Sequence, residues 1–226
     1  MTGADPALIE TAGEFAADIS DLLGRTVVDE PPIGAQVADD RVVVGAFDDD
    51  GNTVDLPLTI RSEHRLDLRV SFRCTFDFTG SFLAIEQSEF ALIVPTVRHP
   101  VVRFDYDRER AWASAHVQLH AESSAVGFLR AHAGKTSETW RLHLPVGGRR
   151  FRPSLEDVIE FAIAEFNIDK KDGYAQRIEE GRKRWRRLQT KAAIRDVIRD
   201  DPGTGPGDLR EAIEVAAEAV EGGLGE

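Results

Sequence analysis

Residues 66–78 read LDLRVSFRCTFDF, and every even position is apolar: Leu66, Leu68, Val70, Phe72, Cys74, Phe76 and Phe78. The odd positions from Asp67 to Asp77 are polar. Strict alternation over about four to eight residues already argues a half-buried strand, and here it runs for thirteen. Fully extended, such a strand would span roughly 43 Å, so it is expected to coil, bend or bulge. One wet face on so long a strand predicts a curved antiparallel sheet with helices on its other side.

The flanking segments fill in that sheet. Asp5-Pro6 opens a helix as N-cap and first helical residue, and Leu8, Ala12, Phe15, Ile19 and Leu22 recur at helical spacing up to Gly24. Pro31, Pro32 and Gly34 are expected to form a connector, and 41–47 with 53–60 a hairpin around DDDGN. A turn at 79–81 leads into a strand over 82–94 whose phase changes: Leu83 and Ile85 are odd, Phe90, Leu92 and Val94 even. A bulge near 86–88 would return all five to one face. Residues 101–107 and 113–121 form another hairpin, 123–133 a short helix, 134–139 a loop, and 140–145 the last strand.

Ser154 then caps a helix, with Asp157 as its capping-box partner and a core stripe running from Leu155 to Phe166. A long helix begins at Tyr174, with a narrow seam of Ile178, Gly181, Trp185, Leu188 and Ala192. DDPGTGPG is a linker, and 209–220 a weakly amphipathic helix. The predicted fold is α+β: a curved antiparallel, largely meandering sheet packed by an N-terminal helix and C-terminal helices. Residues 1–199 form one domain, and 200–226 an acidic linker and terminal helix.

Composition narrows the function classes. The chain has 226 residues and a formal net charge of −12, which disfavours non-specific nucleic-acid binding. The charge is uneven: 1–60 carry 13 acids and two bases, whereas 141–199 carry 15 bases and nine acids. A local basic patch therefore remains open. No run of about 18 apolar residues is present, so no membrane partner is expected. The N-terminus lacks the basic flank and apolar core of a signal peptide. The single cysteine, Cys74, sits on the apolar parity of the long strand. A buried thiol and a cytoplasmic setting follow.

Three constellations could carry chemistry. In AHVQLHAES, His116, Gln118, His120 and Glu122 share one strand face. If the apolar faces of the hairpin coincide, Arg103 and Asp105 join them, and His143 does so if its strand is adjacent. Two histidines two steps apart on one face would be ligand candidates for one metal, or a histidine-dependent catalytic pair. Alternating polar residues are also what a solvated or hydrogen-bonded sheet face looks like. With no HExxH or paired-cysteine motif, that is the preferred reading, and no metal or cofactor is expected.

The second constellation is HLPVGGRRFRPSLED. Gly147 and Gly148 free backbone N–H groups, Arg149, Arg150 and Arg152 crowd the loop, and a helix N-terminus follows. Anions favour such places, but the lysine and spacing of a P-loop are missing. A Gly-Gly turn before an ordinary cap explains the same residues. The third is GRKRWRRLQTK, where Arg182, Lys183, Arg184, Arg186, Arg187 and Lys191 surround Trp185 and Leu188. A basic helix can bind nucleic acid, yet docking on an acidic protein surface is preferred here.

GSFLAIEQSEF, VRFDYDRE with AHVQLHAES, HLPVGGRRFRPSLEDVIEF and GRKRWRRLQ together resemble a family of uncharacterised bacterial proteins, over about residues 66–199. The resemblance implies one structural unit there and transfers no functional residue. The sequence therefore points to a non-enzymatic cytoplasmic binding or protein-interaction protein, with another protein chain or a second copy as partner. The alternatives are a metal- or histidine-dependent hydrolase or nuclease, and a nucleic-acid-associated protein working through the basic helix.

Overall fold

In the computed structural model, residues 4–77, 80, 82–96, 100–110, 114–120, 141–146 and 152–200 are described. The chain divides into two compact units, Met1–Ile178 and Glu179–Glu226.

The first unit begins with helix α1 (Pro6–Gly24), capped by the Asp5 side chain, which accepts from Ala7 N. Leu8, Ala12, Ala16, Ile19, Leu22 and Leu23 are its buried stripe. Among the described residues eight strands follow: β1 (Ile33–Ala38), β2 (Arg41–Ala46), β3 (Leu56–Ile60), β4 (Glu63–Phe76), β5 (Leu83–Ile93), β6 (Pro100–Asp107), β7 (Ala115–His120) and β8 (Arg141–Pro145). Seven of them run in the order β1-β2-β4-β5-β6-β7-β8 in an open antiparallel sheet, and β3 pairs with β4 off this path. From β4 onward the sheet is a meander. The α+β class and antiparallel topology agree with the sequence reading.

β4 is the organising strand. Leu66, Leu68, Val70, Phe72 and Cys74 are all buried, as the alternation requires. The bulge falls inside its expected window: Arg73 pairs with Gln87, but Cys74 pairs with Ile85, leaving Glu86 as the extra residue. On the apolar face, Phe72 meets Phe15 of α1 edge-on at 4.9 Å and Phe90 of β5 at 5.2 Å. Helix α2 (Leu155–Phe166) has the Ser154/Asp157 capping box in both directions and buries Leu155, Val158, Ile159, Ala162 and Ile163. Its Phe161 stands edge-on to Phe104 of β6 at 5.8 Å.

Two regions depart from expectation. The connector at 31–34 runs straight into β1, which pairs along its length with β2. The DDDGN turn forms as expected, with Gly51 at φ 82° and its N–H donating to the Asp48 carbonyl oxygen at 3.0 Å, but beyond the bridge of Phe47 to Thr53 the segments 41–47 and 53–60 do not pair. β2 instead closes on β4 and on β1, through a turn whose Asp39 has φ 58°. β3 pairs with β4 across Arg61 and Ser62, both at positive φ (55° and 63°). The Asp169 carboxylate holds that turn by accepting from Arg61 N at 3.0 Å and Ser62 N at 2.6 Å.

Helix α3 (Tyr174–Asp200) starts in the first unit and carries the basic run in the second. The expected turn residues Thr79 and Ser81, helix 123–133, loop 134–139, linker and terminal helix over 201–226 lie outside the described residues.

Candidate functional site

The polar residues of β4, β5, β6 and β7 stand across from one another in register. Arg73 faces Gln87, and Gln87 faces Asp107. Glu89 faces Asp105, Asp105 faces His116, and Arg103 faces Gln118. The sheet thus brings together Arg103, Asp105 and His116 as the hairpin argument expected. Two acids directly opposite each other, Glu89 and Asp105, would repel. Arg103 sits with its Nη2 3.1 Å from both carboxylates and bridges them, offsetting one of the two charges. Arg69 extends the ladder with a two-pronged contact to Asp55, 2.8 Å on each side, and a longer one to Glu89 at 3.5 Å.

At β7 the polar face is the dry one. His116 is 1% and Gln118 8% exposed, whereas Leu119 on the opposite face is 42% exposed. The Gln118 amide donates to Asp105 Oδ2 at 3.0 Å and lies 3.1 Å from His116 Nε2. Asp105 Oδ2 is 3.6 Å from the same nitrogen and Arg110 Nη1 3.5 Å. Burial, aided by Glu89, holds the Asp105 carboxyl above the usual aspartate range, against the pull of Arg103 and His116.

These side chains border a groove of about 260 Å³, whose lining includes Ser71, Arg73, Gln87, Glu89, Asp105, Asp107, Arg110 and His116. Gly45, paired with Ser71 across β2 and β4, has no room for a side chain, because a Cβ there would sit 2.9 Å from the Val70 carbonyl oxygen. Cys74 does not contribute. Burial, with Glu86 nearby, pushes its thiol up to about 12, so it is a packed thiol and not a nucleophile.

Of the other candidates, His143 joins the same sheet face by register, as the adjacency of β8 to β7 requires. His120 is half-buried, four residues along β7 from His116; at roughly 3.3 Å per residue that is about 13 Å. Their backbones are therefore too far apart for the shared-metal arrangement expected from sequence, and the two do not share one ion. Register places His143 opposite Gln118. Among the described residues no cluster of three His, Cys, Asp or Glu side chains is arranged to hold a metal. Gly147, Gly148, Arg149 and Arg150 lie outside the described residues. Arg152 is buried at 8% exposure, its guanidinium 3.9 Å above the Tyr106 ring, on the apolar side of the sheet.

In α3, Lys183, Arg184, Arg186, Arg187 and Lys191 are exposed and Arg182 is half-buried. Leu188, expected in the seam, is 55% exposed. Lys183 pairs with Glu179 one turn earlier at 2.6 Å.

Ser71, Arg73, Gln87 and Arg110 had not been marked from sequence. The β4–β5 register and the Glu86 bulge set the first three beside the groove, the end of β6 brings Arg110 there, and no local motif encodes that. No protein-family model, no curated protein and no solved structure matches the chain, so the functional reading rests on this geometry. No helix among the described residues is long and apolar enough to cross a membrane.

Proposed function

We propose that this chain is a non-enzymatic binding protein that holds a polar ligand or partner chain in the groove on the polar face of its sheet. The supporting observation is the way His116 is engaged. A general base has to reach the proton that it removes. The His116 ring is buried, with Nε2 inside a cluster of Gln118, Asp105 and Arg110. It supports the groove wall in this reading, and the exposed polar rim does the binding. Another protein chain is the favoured partner class over nucleic acid, given the −12 charge. A cytoplasmic setting, suggested by a lone buried thiol, belongs to the same proposal.

The test pairs activity with binding. Purified protein is assayed on chromogenic esters, phosphodiesters and RNA, with and without added divalent metal. The same preparation is titrated with small polar ligands while backbone amide NMR signals are followed. The expected result is shifts clustered around Ser71 and Gln87 and no turnover above buffer. Turnover that disappears in His116→Gln, while the fold is kept, would replace this reading with a histidine-dependent enzyme.

A further inference from the structure

We infer that the groove takes a carboxylate group, held by the guanidinium groups of Arg73 and Arg110. This rests on the groove being the binding surface and adds the chemistry of what it binds. It follows from accounting for the charges around this face. Arg41 is held by Glu86 at 2.7 Å, Arg69 by Asp55 at 2.8 Å, and Arg103 by Glu89 and Asp105 at 3.1 Å each. Arg108 donates to the Ile85 carbonyl oxygen at 3.1 Å.

Arg73 and Arg110 differ. Among the described residues the nearest carboxylate to Arg73 is Glu86 at 3.8 Å, and Arg41 already occupies the same Glu86 oxygen. Arg110 has one polar contact among the described residues, His116 Nε2 at 3.5 Å. The acids of the groove are engaged: Glu89 by two arginines, Asp105 by Arg103 and Gln118. Asp107 accepts from Gln87 Nε2 at 3.3 Å and Glu109 N at 3.0 Å. Each of these acids therefore already holds at least two donors, whereas Arg73 and Arg110 keep most of their N–H groups for a ligand.

A guanidinium fork matches a carboxylate, two N–H groups to two oxygens. Arg73, Gln87 and Asp107 form one cross-strand row about 10 Å long, and Arg110 follows three residues after Asp107. The volume of about 260 Å³ lies below the roughly 300–1,000 Å³ of sites for drug-sized ligands. It suits a small acid or one acidic residue of a peptide.

The experiment is an amide NMR titration with three probes: succinate, an acetyl-Gly-Glu-Gly amide peptide, and ethylammonium. Shifts at Ser71, Gln87 and Ser88 with either carboxylate probe are expected, and the stronger of the two identifies the source as free acid or peptide. Arg73→Ala and Arg110→Ala should each weaken binding roughly tenfold, the loss of one charge-assisted contact. Arg110→Lys should recover only part, while Arg65→Ala on a distant exposed site should change nothing. Both groove arginines are exposed, so these variants should fold. Groove shifts with ethylammonium alone would overturn the carboxylate assignment and leave the groove reading standing. Carboxylate shifts that survive when Arg73→Ala and Arg110→Ala are combined would also overturn it. Silence with all three probes would overturn both.

Discussion

Phe72 and Arg73 are neighbours on β4, yet their surroundings share almost nothing. Phe72 is buried between Phe15 and Phe90, in a face closed by α1 and α2. Arg73 points to the other face, where the strands carry a ladder of charges ending in the groove. The first face is held by removal of apolar area from water, which is non-directional and tolerates small shifts. The second is held by directional contacts that depend on register. One slipped residue would exchange the faces and abolish both. The same thirteen-residue alternation therefore specifies a core and a site together.

The largest test of that contrast is Phe72→Ala against Arg73→Ala. Deleting the ring should cost about 3–5 kcal/mol, the range for a buried aromatic. Removing Arg73 should stay within about 0.5 kcal/mol, as for most exposed positions. Urea unfolding of both variants measures the two. Equal losses would mean that the faces are misassigned.

A middle-sized effect belongs to Asp105. Truncating it to Ala leaves Arg103 and Gln118 without their shared acceptor, at a cost of about 1–3 kcal/mol. Asp105→Asn keeps the shape and an acceptor oxygen while removing a charge that burial disfavours, so it should cost less than the truncation. An Asn variant as unstable as the Ala variant would show that the charge, and not the hydrogen bonding, is what the ladder needs.

Much of this was legible in the chain, and the failures share a cause. Period 2 from Leu66 onward assigned both faces, and the phase change at Ile85 located the Glu86 bulge. Helix ends were readable where a side chain performs the capping, as at Asp5 and Ser154. The Arg61-Ser62 turn was not, because its positive φ values are held by Asp169, more than a hundred residues away. β1 was missed because IGAQVA barely alternates and gains its order from pairing with β2. At the site, parity brought Arg103, Asp105 and His116 together, but parity says nothing about which face is dry. His116 and Gln118 are buried on a polar face. That depends on tertiary cover, which no local pattern reports.

The pH dependence should separate two aspartates of opposite sign. Asp105 has its folded value raised by burial. Its penalty on the fold is absent below the unfolded value of about 3.9 and complete above the folded value. Asp169 is lowered, chiefly by the Ser62 N–H, with the Thr59 and Arg61 contacts adding. Its contribution is present above about 3.9 and lost as pH falls through the folded value. Relative to the wild type, Asp105→Asn should therefore gain stability as pH rises through this window, and Asp169→Asn should lose it. Urea midpoints from acid to neutral pH give both slopes. Slopes of the same sign would contradict the assigned environments.

The smallest effect is expected from the cations that the sheet does not organise. Lys183, Arg184, Arg186, Arg187 and Lys191 are exposed on α3, beside an exposed Leu188. If they met phosphates, each neutralised phosphate would release condensed counterions and binding would fall steeply with salt. The chain as a whole carries −12 and repels polyanions at long range. A short DNA duplex and a single-stranded RNA should therefore show no mobility shift with the wild type, even at low salt. Arg184→Glu with Arg187→Glu should leave that result unchanged. If the helix docks on an acidic protein surface, as proposed from its charge, the double reversal should weaken that association, and so should added salt. A salt-sensitive nucleic-acid shift by the wild type, lost in the double reversal, would make the helix a phosphate-binding element. The contrast would then lie between a polar face that binds locally and a helix that binds by charge alone.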